Sequence, residues 1–338
     1  MIQPEQGVHV PESSDGSPVR WAIIGTANIA RWNFLPSLRL AGGIVVTVGS
    51  RSRESGRAFL ADNDLQADVC SYAEAVGRDD VDAVYVATPN HLHSQWAAAA
   101  MEGGKAVLCE KPLGRTPSEV EDLIAVSACT GQPLWEAFAF PFHEQWRFLV
   151  EAIADQVVGE LGEIQSNFHF LVRDPANIRW DPALGGGALN DVGCYPIHLA
   201  RLLFGSEPKD AAAVMKVGGR GVDAECQAIL DFGSGRRLQF SCGLERWRDT
   251  STRLLGSGGE IRLTDPFHPT AQDTITVIRD GHTMVHRLVP DEPSFTAMLR
   301  SICSVVAQRR PAQHLANGDA LGTARALAMV RTRFVEWP

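Results

Sequence analysis

Lys111 stands between an acid and a proline in the string Glu110-Lys111-Pro112-Leu113, directly after the apolar run Ala106 to Cys109. Proline locks its own φ and restricts the residue before it, so the direction of the lysine side chain is set. A second set of reactive types lies in the run 179–205, R-W-D-P-A-L-G-G-G-A-L-N-D-V-G-C-Y-P-I-H-L-A-R-L-L-F-G. Asn190 or Asp191 can cap a helix that ends before Gly205. On that helix Asp191, Tyr195 and His198 fall at i, i+4 and i+7 and share one face. Pro196 is tolerated there only if the helix begins near residue 190. An acid, a phenol and an imidazole side by side can orient a hydroxyl and pass a proton to or from oxygen. The same face also reads as a capping aspartate, a half-buried tyrosine and a satisfied core histidine. Lys111 likewise reads either as a strand-end lysine snorkelling to solvent or as a group facing a ligand. Gly185, Gly186 and Gly187 make a loop that can approach a ligand closely.

The elements that must position these groups begin at Arg20. Arg20 to Ile24 is a short apolar strand followed at once by Gly25-Thr26-Ala27-Asn28-Ile29-Ala30, which fits G-x-G-x-x-A with Ala27 at the middle glycine. A glycine permits the tight turn, a small residue lets the backbone approach a pyrophosphate, and the last small residue allows close helix–strand packing. The helix that follows, Arg31 to Leu40, offers free N–H groups and a partial positive charge to phosphates, with Pro36 as a kink or reset. A second buried strand, Ile44 to Gly49, ends in Ser50, Arg51, Ser52 and Arg53. An acid at that place binds the ribose 2′-hydroxyl of NAD, whereas an arginine accommodates the 2′-phosphate of NADP. Ser50 and Arg51 occupy it, so NADP is favoured over NAD; the competing reading of Arg51 and Arg53 is a solvated helix start. A third strand, Val81 to Thr88, closes on Thr88-Pro89-Asn90 with His93 nearby, at the carboxyl end where such a cofactor lies. A helix from Pro117 to Cys129 carries Thr116 as its N-cap and Glu119 as the matching acid, and a fifth strand lies near Pro133 to Ala137. Repeated βα units of this length predict a doubly wound parallel sheet.

A chain of 338 residues exceeds what one core usually supports. The expected organisation is a flexible leader over 1–18, a dinucleotide-binding Rossmann domain over 19–140, and a substrate-binding and oligomerisation α+β domain over 141–338. The second half carries short strands at Glu163 to Arg173, Asp210 to Val217, Cys226 to Phe232, Arg237 to Gly243 and Ser251 to Gly256, with a hairpin turn at Gly233 to Gly235. Further strands follow near Glu260 to Leu263 and Thr274 to Ile278, then helices near Phe295 to Gln308 and Gly318 to Phe334. The formal net charge of −9 without a basic stripe argues against nucleic acid and anionic membrane as partners. No stretch approaches the roughly 20 apolar residues that span a bilayer, and the start lacks a signal sequence, so a cytoplasmic location is expected. The seven cysteines are scattered without a C-x-x-C pair. They are expected to be buried reduced thiols, and no metal site is expected.

The ordered set A-I-I-G-T-A-N-I-A (22–30), A-T-P-N-H-L-H (87–93), E-K-P-L (110–113) and G-G-G-A-L-N-D-V-G-C-Y-P-I-H (185–198) resembles the glucose–fructose oxidoreductase, inositol dehydrogenase and MocA family over nearly the whole chain. The resemblance implies a second domain built on a large, open, mostly antiparallel sheet that commonly forms homodimers or homotetramers. It implies that Lys111 is catalytic, that Asp191 helps orient substrate, and that Tyr195 takes the acid/base place. Tyrosine there looks more like the branch of sugar, dihydrodiol and deoxysugar enzymes than the inositol branch, which usually has histidine.

On that basis the expected chemistry is hydride transfer between NADP and a carbinol or ketone of a sugar, sugar derivative or cyclic diol. Tyr195 would donate the proton as general acid. Free tyrosine ionises near pH 10, and Lys111 would lower that and stabilise the oxyanion. Asp191 would bond a neighbouring hydroxyl or hold the lysine. The expected cofactor residues are Gly25, Thr26, Ala27, Asn28, Ile29, Ser50, Arg51, Arg53, Thr88, Pro89, Asn90, His93, Glu110 and Lys111, with Arg179, Trp180 and His198 as substrate contacts. Trp247 and His286 are further pocket candidates. Two alternatives keep the fold: a nucleotide-bound sensor or scaffold without turnover, and a hydrolase or lyase that uses nicotinamide transiently.

Overall fold

A computed structural model describes residues 17–288, 292–308 and 317–337. The leader expected over 1–18 lies outside the described residues except for its last two. The chain forms two compact units, one made of residues up to Gly114 with Ser118–Phe138 and Glu292–Ala320, the other of Arg115–Pro117, Ala139–Asp291 and the stretch from Leu321 on.

The first unit holds the doubly wound sheet. Its strands are β1 (Arg20–Ile24), β2 (Ile44–Gly49), β3 (Asp68–Cys70), β4 (Ala83–Val86), β5 (Ala106–Cys109) and β6 (Leu134–Glu136), all parallel, in the order β3-β2-β1-β4-β5-β6. Trp21 to Ile24 and Ala83 to Val86 are fully buried, which is why they read as unbroken apolar runs. The three-residue β3 carries too little pattern to be read from sequence. The helix Tyr72–Val76 after it has a legible start, because Ser71 and Glu74 form a complete capping box. The late helix Ser294–Ala307 belongs to this unit: Phe295 meets Tyr85 edge-on at 6.5 Å, and Arg300 donates to the Leu40 carbonyl at 3.2 Å.

The second unit holds a ten-stranded sheet. Its strands are β7 (Leu161–Leu171), β8 (Asp210–Val217), β9 (Asp223–Gly233), β10 (Arg236–Gly243), β11 (Glu245–Asp249), β12 (Thr252–Gly256), β13 (Gly259–Leu263), β14 (Ile275–Arg279), β15 (His282–His286) and β16 (Phe334–Glu336). The order is β15-β14-β13-β12-β7-β10-β9-β8-β16, with β11 beside β7. Only the β7–β10 and β8–β16 pairs are parallel among these, so the sheet is the mostly antiparallel one the family resemblance implies. Along β9, Cys226, Ala228, Leu230 and Phe232 are buried while Gln227, Ile229 and Asp231 are exposed, the alternation of a sheet with one covered face.

Pro36 and Pro196 each lie inside a continuous helical run, and each is preceded by a π turn: Ala30–Phe34 before Pro36, and Leu189–Gly193 before Pro196. Proline has no N–H for the carbonyl four residues back. In the π register a carbonyl takes the N–H five residues on, as the Leu35 N–H does to the Ala30 carbonyl. The helix therefore runs past each proline unbroken. Five cysteines are buried as expected, but Cys70 is half-buried and Cys129 is exposed, the latter on the outer side of the helix Pro117–Thr130.

Candidate active site

The strand register of the first unit brings the sequence-predicted cofactor residues to one edge. Ile24 pairs with Gly49 and Val86, Val86 with Cys109, and Cys109 with Glu136. The residues just beyond these ends, Gly25, Ser50, Thr88 and Glu110, therefore form a row at the carboxyl side. Gly25 has φ +107°, and a Cβ there would stand 2.5 Å from the Ala87 carbonyl oxygen, so no other residue fits this turn. Ala27 follows, and its carbonyl takes the Ala30 and Arg31 N–H groups that open the helix.

Thr88 is buried, and its hydroxyl has no partner among the described residues; the Nδ1 of His91 is in the same position. Unpartnered buried polar atoms beside a glycine turn and an open helix start are what a dinucleotide needs from a protein, so the residues fit the cofactor. Ser50 is buried, with its N–H on the Cys70 carbonyl, whereas Arg51 and Arg53 are exposed. The Ser52 hydroxyl caps the helix that Arg53 begins. Arg53 lies in the field of Glu74, and Arg51 in that of Tyr72.

Two of the predicted residues turn inward and organise the others. The His93 imidazole is 1% exposed and lies 2.9 Å from both the Thr88 and Pro112 carbonyl oxygens. It ties the Thr88-Pro89-Asn90 turn to the Lys111-Pro112 turn, and burial pushes its pKa below the ordinary value. Glu110 accepts the Tyr85 hydroxyl at 2.6 Å, and its second oxygen accepts the Lys111 N–H at 3.3 Å. Glu136 accepts the Leu113 N–H at 2.8 Å, so carboxylates hold the backbone on both sides of the cis Lys111–Pro112 bond.

In the second unit the helix of Leu189–Gly193 and Cys194–Phe204 carries Asp191, Tyr195 and His198. Tyr195 is 7% exposed and sits among rings: Phe168 at 5.2 Å, Phe267 at 5.3 Å, His268 at 5.4 Å and Phe140 at 6.4 Å. Asp191 accepts Arg179 Nε at 2.5 Å. The partners expected for this aspartate from sequence are a hydroxyl or the lysine; the arginine is a further one, from within this unit. Arg179 sits in the one-turn helix Ile178–Trp180 beside the half-buried Trp180, and the Asn177 side chain caps that turn.

His198 is buried and its Nδ1 lies 2.9 Å from the Thr323 hydroxyl. Thr323 also accepts from Arg201 Nη1 at 2.8 Å. Burial and then the Arg201 charge lower the His198 pKa to about 3, and the ring is a neutral packing group.

The glycine run 185–187 serves the chain itself. A Cβ on Gly186 would meet the Arg179 carbonyl, and one on Gly187 would meet the Asp223 carboxylate. The Gly187 N–H donates to the Arg179 carbonyl at 3.0 Å, while Asp223 accepts the Leu189 N–H at 2.5 Å. Asp223 thus caps the helix that carries Asp191 and Tyr195. Neither Asp223 nor the rings Phe168, Phe267 and His268 was singled out in the sequence. They lie 27 to 73 positions from Tyr195, and no local pattern marks them.

A model of an oxidoreductase family with an NAD-binding Rossmann fold matches residues 19–138, and one of the GFO/IDH/MocA C-terminal domain matches 146–262. A dTDP-3,4-didehydro-2,6-dideoxy-alpha-D-glucose 3-reductase of Streptomyces antibioticus is 32% identical over 94% of this chain and 98% of its own length. An NADP-dependent D-xylose 1-dehydrogenase of Haloferax volcanii is 31% identical over 80% of this chain and 84% of its own. Among solved structures, a 3-ketoreductase from Actinomadura kijaniata in complex with NADP and TDP-benzene superposes with a TM-score of 0.89 at 30% identity, covering 95% of this chain and 100% of that one. That enzyme has also been solved with a tyrosine replaced by phenylalanine and with a lysine replaced by alanine.

Proposed function

The chain belongs to the GFO/IDH/MocA oxidoreductase family, and from that premise we propose that it is an NADP-dependent reductase of a ketone on a sugar or sugar derivative. One observation carries the catalytic assignment. The lysine and tyrosine replaced in the Actinomadura ketoreductase are separated by the same number of positions as Lys111 and Tyr195. When bound, NADPH supplies the hydride, with Gly25, Thr26, Ala27, Asn28 and Ile29 taking the pyrophosphate and Ser50 and Arg51 the 2′-phosphate. Thr88, Pro89 and Asn90 receive the ribose and nicotinamide end.

Tyr195 gives its proton to the oxygen of the carbonyl being reduced, and Lys111 stabilises the negative charge that forms there. The overall balance is ketone, NADPH and one proton to alcohol and NADP. The ring cage around Tyr195 excludes water from the phenol, which strengthens each charge that acts on it. The sheet face opposite this helix, with Trp247 83% and Ile229 46% exposed, is read as the contact with a second copy of the chain.

The test is turnover of dTDP-linked 3-keto sugars, free aldoses and diols with NADPH and NADH. Tyr195→Phe and Lys111→Ala are each expected to lose about 10²–10⁴-fold in kcat while keeping NADPH affinity. Full turnover by Tyr195→Phe would remove the acid role from this residue.

A further inference from the structure

Building on that reading, we propose that Arg179 is a positioning residue for the proton transfer: it pins the Asp191 carboxylate and lays its positive charge beside the Tyr195 phenol. Phe168 and Phe170 are alternate residues of β7 and point to the same side of the sheet, with ring centroids 6.4 Å apart. Tyr195 packs on the first at 5.2 Å, and the Arg179 guanidinium lies over the second at 5.4 Å. Guanidinium and phenol are therefore neighbours on one strand. Asp191, one turn before Tyr195 on the helix, closes the triangle through its 2.5 Å bond to Arg179 Nε.

The arginine is built in rather than draped on the surface. Its carbonyl accepts the Gly187 N–H, the Asn177 side chain accepts its N–H at 3.1 Å, and a glycine at 186 leaves room for that carbonyl. The Asp191 charge raises the Arg179 pKa most, and ionised Tyr195 raises it further. Linkage is reciprocal, so the guanidinium favours the phenolate to the same degree.

The groups facing Tyr195 can be sorted by sign. Phe140, Phe168 and Phe267 desolvate the phenol and oppose its ionisation. The Asp191 carboxylate opposes it too. Arg179 offsets Asp191 and adds a favourable charge from its own unit to the one that the proposed function gives Lys111, and His268 at 5.4 Å is the other titratable ring in reach.

The chain has three tyrosines, Tyr72, Tyr85 and Tyr195, so tyrosinate absorbance can be followed against pH on the full-length protein. Tyr195→Phe identifies which step belongs to Tyr195. That step is expected to move up by about one unit or more in Arg179→Gln, the order of magnitude of losing a neighbouring unit charge. It is expected to move down in Asp191→Asn, which keeps the test open should Arg179→Gln fail to fold. The pH profile of kcat/KM should shift by the same amount as the absorbance step, with NADPH affinity unchanged, and Arg179→Lys should recover part of the shift.

A Tyr195 step that stays in place in Arg179→Gln and Asp191→Asn, while Tyr195→Phe is inactive, overturns the role of Arg179 and leaves the reductase reading standing. A shift produced by His268→Gln and not by Arg179→Gln overturns it as well. An active Tyr195→Phe is the separate failure of the catalytic reading on which the inference rests.

Discussion

Gly25 and Arg51 make the sharpest residue-scale demands of the cofactor end. At Gly25 the backbone φ of +107° and the nearby Ala87 carbonyl both exclude a side chain. Gly25→Ala should therefore fold with a displaced turn and bind NADPH about tenfold more weakly or worse, because strain of this kind costs roughly 1–3 kcal/mol. Fluorescence quenching of the tryptophans by added NADPH measures it, and an unchanged Kd would remove the turn from the cofactor site. Arg51→Ala should lose preference for NADPH over NADH while keeping affinity for NADH, since the exposed guanidinium has only the 2′-phosphate to discriminate. Equal loss for both cofactors would point to a structural role instead. At this scale the sequence was legible where a residue type is forced by local backbone, as at Gly25, or by its place at a strand end, as at Ser50. It was mute where a side chain serves a distant one. His93 and Glu110 stand within the cofactor motifs, yet His93 bonds the carbonyls of other turns and Glu110 the buried Tyr85 hydroxyl.

The helix bearing Asp191 and Tyr195 is the element on which most depends, and its start hangs on Asp223. Burial raises the Asp223 carboxyl from its ordinary 3.8 to about 6, although the Leu189 N–H, Arg331 and the Ala188 N–H each pull the other way. A raised folded-state pKa means the folded protein holds a proton that the unfolded chain has released between about pH 4 and pH 6. The stability this contributes is present below 3.8 and is lost as pH rises through about 6. Asp223→Asn keeps an acceptor for the helix N–H groups and cannot ionise. The Tm difference between Asp223→Asn and wild type should thus move in favour of the variant on going from pH 4.5 to 7.5, by the order of a unit or two of proton linkage. Thermal melts across that range check it, and parallel Tm curves would show that Asp223 does not titrate there. The strands and the long helices were readable from apolar runs and periodicity. The two π turns were not, because a proline in a helix announces only a missing N–H, whereas the π register that absorbs it is settled by packing. Pro36 and Pro196 were marked in the sequence as obstacles; in the fold each is followed by an unbroken helix.

For the whole molecule, the open face of the second sheet is the contact proposed with a second copy of the chain. Asn167, His169, Gln227, Ser241, Arg246, Trp247 and Asp249 line a groove of about 570 Å³ on it. Trp247→Arg should convert an assembled species to monomer in sedimentation experiments, with NADPH binding intact; a monomeric wild type would dismiss the interface. The two kinds of sheet were legible from the change from βα repeats to clustered strands. The return of the helix Ser294–Ala307 to the first unit was not, since an amphipathic helix does not say which core it covers. That return has a consequence during synthesis. The surfaces of Tyr85 and of the helix ending at Leu40, which this helix covers, leave the ribosome long before it does. At translation rates of about 5–20 residues per second, the first unit waits for roughly ten to thirty seconds with that apolar side bare, while strands β7 to β15 of the second sheet are being made. A nascent chain so exposed is a natural client for a holdase.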